Sequence, residues 1–388
     1  MRRTYLDHAA TTPVRDEVLD AMLPYLRERF GNPSSAHAFG REARVGLERA
    51  RRELAGALGC EPAQVVFTSG GTEADNLAVL GGALAARARG RRFAVAVAAV
   101  EHKAVLAAAH EVAARGGEAR LLPVDAGGAV DRAALDDALA AGVPLVSCMW
   151  VNNETGVVQP VADLAARCRD AGARFHTDAV QAVGKVAWEA APLRDALVAV
   201  SAHKVGGPKG IGALVVPARQ AVAPQLFGGG QQLDLRPGTE NVSGAVGLAR
   251  AVALAIAEQA AFARRTAALR DELARALRQV PDVQVTAEGA PRAPHILHVT
   301  VAGAQGGSLL VDLDLQGVAA SGGAACATGA SVPSHVLGAM GIPGDRAAGG
   351  VRFSLGRETT AADIAHAIAA FPAAVERARA LAGELGHA

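Results

Sequence analysis

Cysteine, lysine and aromatic residues are all scarce in this chain of 388 residues. The four cysteines (Cys60, Cys148, Cys168 and Cys326) include no CxxC pair, which argues against a structural zinc site. Their scatter fits a reducing compartment. Cys148, in "PLVSCMW", and Cys168, in "VADLAARCRD", read as buried packing residues. Charge of either sign is not in excess: the formal net charge is +1, and no basic run is interleaved with aromatics. No nucleic-acid or membrane partner is therefore indicated. Long apolar runs are missing too. "FAVAVAAV" (93–100) is strand-length, well short of the ~20 residues that span a bilayer, and the N-terminal "MRRTYLDHAATTP" lacks a signal-peptide core. The expectation is a soluble cytoplasmic protein.

The lysine shortage is the most informative. Of 39 lysines and arginines only four are lysine: Lys103, Lys185, Lys204 and Lys209. Arginine serves for general surface charge. Where lysine persists, a primary amine is more plausibly required, because an amine can shed its proton and form an imine whereas a guanidinium cannot.

Between about residues 15 and 255, helical patterns such as "ARVGLERARRELAGAL" alternate with short apolar runs such as "QVVFTSG", "PLVSCMWV" and "ALVAVSA". That alternation predicts an α/β unit, a mostly parallel sheet with helices on both faces. After the helical stretch 245–280 the texture changes. "HILHVTVAG" and "GVAAS" read as strands, and "GGSLLVDLDLQG", "SHVLGAMG" and "TAADIAHAIAAFPAAVERARALAGEL" as helices. Residues 256–388, together with 1–14, are expected to form a smaller α+β domain beside a large domain over 15–255.

Several short motifs carry chemistry, each with a plainer alternative. "TSGGTEADN" (68–76) joins a strand to a helix, so Gly71 and Thr72 fit either an anion-binding helix start or a structural turn. Lys204, in "SAHKVGGPKGIGAL" after Ser201 and His203, sits at a strand end, where an imine-forming lysine is one reading. Lys209 reads as a solvated charge. Asp178, in "FHTDAVQAVGK", fits a helix cap or the acidic partner of a protonated pyridine nitrogen. His102, in "VEHKAVL", fits a cap or a ring that stacks on a cofactor and moves protons. "VNNETGVVQP" places Asn152, Asn153 and Glu154 after a strand, where ligands gather in α/β sheets. Arg352, in "VRFSLGR", fits a surface arginine or a bidentate clamp on a carboxylate. Cys326 lies in "SGGAACATGA", among glycine, alanine, serine and threonine.

Together and in this order, nearly end to end, these motifs resemble the cysteine desulfurases, pyridoxal phosphate enzymes of the aminotransferase class V type. The resemblance also rests on "YLDHAATTP", "GNPSSAHAFGREAR", "GGGQQLDLRPGTEN" and "SGGAACATGASVPSHVLGAMG". It implies a fold-type I pyridoxal-phosphate-dependent transferase, with a seven-stranded type of sheet in the large domain. It implies Lys204 as the imine lysine and Asp178 as the partner of the pyridine nitrogen. His102 would stack on the ring, and Gln181 and Asn153 would lie near the phenolic oxygen. Gly71, Thr72, Ser201 and His203 would hold the phosphate, with Thr239 reaching it from the other subunit of a homodimer. Arg352, assisted by Asn153, would hold the substrate carboxylate, and Cys326 would take the sulfur. The departures are mild: Gly323 and Ala324 before the cysteine, His8 and His298 where many relatives have asparagine, and Gln232 where glutamate is usual.

The resemblance implies removal of sulfur from L-cysteine to give L-alanine and a persulfide on Cys326. The sulfur is then passed to an acceptor protein, an iron–sulfur scaffold or an enzyme of tRNA or cofactor thiolation. The alternatives are another pyridoxal phosphate enzyme of this fold (a selenocysteine lyase, aminotransferase or epimerase) and a non-catalytic sulfur-assembly scaffold. The small residues around Cys326 predict a mobile loop that lets the nucleophile travel.

Overall fold

The run "AVAVA" is buried at all five positions. Only a strand covered on both faces can use so uniform an apolar pattern. The computed structural model describes residues 2–218, 221–322 and 334–385. In chain order the elements are β1 (Thr4–Tyr5), α1 (Asp16–Arg27), α2 (Ala38–Leu58), β2 (Val65–Thr68), α3 (Gly71–Ala88), β3 (Ala94–Ala98), α4 (Lys103–Ala114) and β4 (Glu118–Leu122). There follow α5 (Arg132–Ala140), β5 (Leu145–Ser147), α6 (Val161–Asp170), β6 (Arg174–Asp178), β7 (Leu197–Ser201), β8 (Gly212–Val215) and α7 (Val242–Leu277). The chain closes with β9 (Val283–Val285), β10 (Ile296–Val301), α8 (Gly306–Leu315), β11 (Val318–Ala319), α9 (His335–Ala339), α10 (Gly344–Ala347), β12 (Gly350–Ser354) and α11 (Ala361–Leu385).

Seven strands form one sheet in the order β2-β8-β7-β6-β5-β3-β4, so the expected α/β architecture is observed. Only β8 runs against its neighbours β2 and β7. The other six therefore end at a common edge, where ligands bind in open α/β sheets. β8 begins at Gly212 because a side chain there would run into the backbone of Gly70, at 2.8 Å from its Cα. That close approach lets the turn before α3 lie beside the end of β7. Helices cover both faces. One core packs α2, α6 and the first part of α7 against the sheet, and a second packs α3 and α4 against the other face.

A third core joins Leu6 with β9, β10, β12, α8 and α11, around the antiparallel sheet β12-β10-β9. The transition at 255 falls inside α7, which is continuous. Residues from Val242 to Val252 serve the main core, whereas Leu273, Ala274 and Leu277 serve the third. Val336 and Met340, late in the chain, pack into the main core. An 18-residue window of α7 is apolar enough to cross a membrane, although no unbroken apolar run of that length exists in it. Its alanines and valines are spaced between polar residues, and one face packs on α1 and α2.

Candidate active site

The common edge of the large sheet collects the polar residues. His102 follows β3, Asn152 and Asn153 follow β5, Asp178 ends β6, and Ser201 ends β7 just before Lys204. β12 of the small sheet brings Arg352 to the same place, and the N-terminal segment brings Asp7, Ala9 and Ala10.

One side of this edge is acidic. Asp178 is buried, and its Oδ1 accepts the Val180 N–H at 2.9 Å. Burial raises its pKa, opposed by His102, that N–H and Lys204. Donor atoms of Asp75, His102 and Asp178 lie within 4.8 Å of one another. Burial, reinforced by the charges of Asp178 and Glu101, lifts Asp75 well above the usual carboxylate range. Behind these groups, Ser147 Oγ donates to Glu101 Oε1 at 2.7 Å and lies 2.8 Å from His176 Nδ1. A hydroxyl has a single proton, so with that proton on Glu101 the imidazole must donate from Nδ1. Its bare Nε2 then faces Asp75 Oδ1 at 3.6 Å, and neither atom has a hydrogen-bond partner among the described residues. Burial pushes His176 down to about 3 and Glu101 up to about 8. Three buried carboxyls, Asp75, Glu101 and Asp178, beside the His176 imidazole suit a positively charged N–H group.

The other side is basic. Lys204 Nζ donates to the carbonyls of Ala9 at 2.7 Å and Ala10 at 2.6 Å. Burial, then the Arg352 charge, push it down to about 8, against the pull of Asp178 and Asp7. Arg352 is 1 % exposed. Its Nη2 donates to Asp7 Oδ1 and its Nη1 to Asn153 O, each at 2.7 Å. The reading of Arg352 as a surface arginine therefore fails. Its Nε has no partner among the described residues. Gln181 Nε2 donates to Ala9 O at 2.8 Å, the carbonyl Lys204 also uses.

At the start of α3, Gly70 supplies no side-chain cap, and Ala74 N–H is the donor bonded to its carbonyl. The amides of Gly71 and Thr72 thus lack an intrahelical acceptor, the arrangement in which a helix start can take an anion. A side chain at Gly71 would come within 3.0 Å of Val180 and 3.7 Å of Ser201, so glycine keeps this corner open. His203 Nδ1 lies 3.2 Å from Thr11 Oγ1, and burial with the neighbouring lysines pushes the ring down to about 4. His102 caps α4, its Nδ1 accepting the Ala104 N–H at 3.2 Å, which leaves Nε2 free to face a ligand. Thr239 is exposed on the loop before α7. That loop is fixed by Gln232, whose Oε1 accepts from Phe67 N–H and Arg51 while its Nε2 donates to Glu240. A glutamate at 232 could not donate to Glu240, so this amide is matched to its acidic neighbour.

The chain matches the aminotransferase class-V family over residues 4–366. It is 41 % identical over 381 residues to a cysteine desulfurase IscS of Dictyoglomus turgidum, covering 98 % of this chain and 96 % of that one. A cysteine desulfurase of Cereibacter sphaeroides is 44 % identical over 384 residues, 98 % of each chain. A solved NifS-like protein superposes with a TM-score of 0.90 at 33 % identity, over 97 % of this chain and 100 % of that one. The chain belongs to the aminotransferase class-V family, among its cysteine desulfurases.

For a class-V aminotransferase, the site holds more than the motifs indicate. Asp75, Glu101, Ser147, His176, Lys185 and His295 are buried around it and escape a reading of linear motifs. Some signal was there: Lys185 is one of four lysines. Cys326 and its neighbours Gly323 and Ala324 lie outside the described residues, as does the expectation of a mobile loop. The flanks are described. Ser321 pairs with the Arg352 backbone through two hydrogen bonds. Ser334 caps α9 and donates to buried Glu154 at 2.5 Å, and His335 lies 2.9 Å from the Glu101 carbonyl.

Proposed function

We propose that this chain is a homodimeric, pyridoxal 5′-phosphate-dependent cysteine desulfurase. The observation that carries the reading is the amine of Lys204, half-buried and depressed to about 8, within the electrostatic reach of a buried Asp178. The residues fit the cofactor. Gly71, Thr72, Ser201 and His203 would hold the phosphate, Asp178 the protonated ring nitrogen, His102 a ring face, and Gln181 and Asn153 the phenolic oxygen. Thr239 would complete the phosphate site of the partner subunit. Exposed apolar groups offer a dimer surface: Phe227 is 86 % exposed, and Phe30 and Phe39 stack at 5.7 Å.

When bound, pyridoxal 5′-phosphate supplies an electron sink that weakens the Cα–H and then the Cβ–S bond of the substrate. Arg352 holds the carboxylate of L-cysteine, sharing its guanidinium with Asp7. Lys204, with a pKa close to working pH, takes the proton from Cα and later returns one. Asp178 keeps the ring nitrogen protonated. The Cys326 thiolate attacks the substrate sulfur. The Cβ–S bond breaks, an S–S bond forms, and the electron pair left on carbon is protonated to give L-alanine. Burial pushes Cys60 up to about 11, Cys168 up to about 12 and Cys148 well above its usual range, so none of these offers a thiolate at neutral pH. The persulfide on Cys326 then passes to an acceptor protein, an iron–sulfur scaffold or a thiolation enzyme.

The test is an L-cysteine assay for alanine and sulfide with wild type and Cys326→Ala. The substitution should abolish persulfide and sulfide formation and leave cofactor binding intact. Unchanged sulfide output would remove Cys326 from its role.

A further inference from the structure

Three of the four lysines have an evident place: Lys103 and Lys209 are exposed, and Lys204 faces the cofactor site. Lys185 has none. It is 6 % exposed, lies beyond the reach of solvent charge, and takes part in no step above.

Its surroundings show what it does. Lys185 Nζ is 2.9 Å from Gln181 Oε1, and His295 Nε2 is 3.4 Å from the same oxygen. The other end of that carboxamide, Nε2, donates to Ala9 O, which also accepts from Lys204. We propose that Lys185 is a positioning residue of the site, holding the Gln181 carboxamide in the one orientation that presents its NH2 group to Ala9 and the cofactor. This rests on the cofactor placement given above.

The argument is one of donors and acceptors. A reversed carboxamide would set its oxygen against the Ala9 carbonyl oxygen and its NH2 against the hydrogens of Lys185. The NH2 group has two hydrogens. One goes to Ala9, and the second remains for an acceptor, which a phenolic oxygen would be.

The choice of lysine follows from charge. The groups facing Lys185 among the described residues are Gln181, His295, His8, His203, Lys204 and Arg352, with no carboxylate among them. Burial, then Lys204 and Arg352, push the amine down to about 7. An amine donates an N–H whether or not it carries the extra proton, so it can bond Gln181 on both sides of its titration; when it is neutral and could also accept, the Ala9 carbonyl still selects the orientation. An arginine would add a permanent charge beside Arg352 and Lys204.

The experiment is a double-mutant cycle on the apoprotein titrated with pyridoxal 5′-phosphate. It reads the dissociation constant and the pH at which the bound cofactor's absorbance changes. Lys185→Met should weaken binding about tenfold, the worth of one charge-assisted hydrogen bond, and move the titration. Gln181→Ala should do the same, and the double variant should be no worse than Gln181→Ala. Lys185→Gln, which keeps a neutral donor, should restore the wild-type titration. Additive losses in the double variant, or a Lys185→Gln that behaves like Lys185→Met, would overturn the proposal. So would Lys185→Met with an unaltered titration. If Lys185→Met proves too unstable to titrate, Lys185→Ala in the same double-mutant cycle with Gln181→Ala carries the same decision. A wild type that takes up no cofactor, or a Lys204→Ala variant with an unchanged bound spectrum, would instead sink the underlying placement.

Discussion

The acidic and basic sides of the site are built by opposite means. Both bury ionisable groups, and both push them toward neutrality by desolvation. On the basic side every amine has an acceptor: Lys204 has two carbonyls, Lys185 has Gln181, and Arg352 has Asp7 and Asn153 O. On the acidic side Asp75 Oδ1, Glu101 Oε2 and His176 Nε2 lack partners among the described residues. The basic side is thus nearly complete in itself, with Arg352 Nε left over, whereas the acidic side leaves three buried polar atoms open. That difference is what the proposed placement, with the ring nitrogen at Asp178 and the neutral donors at the ring's oxygen, would use.

Removing the amine should break the comparison most completely. Lys204→Ala is expected to lower desulfuration by about 10²–10⁴-fold, the usual worth of a positioned acid–base group. Exogenous small amines with wild type as control would show whether the lost group is the base. Asp178→Ala comes next. It takes away the carboxylate that the proposal sets against the ring nitrogen, and losing one partner of a buried pair costs about 3–5 kcal/mol. Cofactor affinity, measured by equilibrium titration, should fall accordingly, with Asp178→Asn close behind. An affinity within twofold of wild type would show that the acidic side does not bind the ring.

Arg352→Lys should act on substrate more than on chemistry. Loss of the bidentate contact predicts a Michaelis constant for L-cysteine raised about 10- to 100-fold with kcat changed less. Asp7→Asn, which frees the guanidinium, should move the constant the other way. The smallest effect concerns pH. Glu101 is raised to about 8, so the native state holds its proton longer than the unfolded chain. Its contribution is present below the unfolded carboxylate pKa and is lost as pH rises toward 8. Lys185, lowered to about 7, has the opposite sign, its cost fading as pH rises above that value. Calorimetry of the apoprotein should therefore find Glu101→Gln more stable than wild type at pH 8 and equal to it near pH 4. A constant difference across that range would mean that the carboxyl does not titrate there.

The architecture was legible because its signal is local. Buried strands such as β3 and β7 read as short apolar runs between helical periods, and Lys204, Asp178 and His102 fall at their ends. The groups that escaped depend on which strands become neighbours. Ser147 meets His176 because β5 pairs with β6 in register, residue 147 opposite 176. Lys185 meets Gln181 one turn away, but the burial that gives the contact its meaning comes from His295, His8 and Arg352, distant in sequence. Linear motifs mark where a strand stops; they do not say what its neighbour brings. The alternatives of cap or ligand group do not exclude each other: His102 caps α4 through Nδ1, and a nitrogen of the same ring lies within 4.8 Å of carboxylate oxygens of Asp75 and Asp178.

The shortage of lysine has a practical side. Only Lys103 and Lys209 are freely accessible to an amine-directed reagent; of the two lysines with a depressed pKa, Lys185 is buried, and Lys204 is the partly exposed one that would react near neutrality. Joined to a cofactor aldehyde, that amine would be shielded. Mass-spectrometric footprinting with an acylating label would then read occupancy from the ratio of one modified peptide to two internal standards. No engineered reporter would be needed, and the measurement would not depend on turnover.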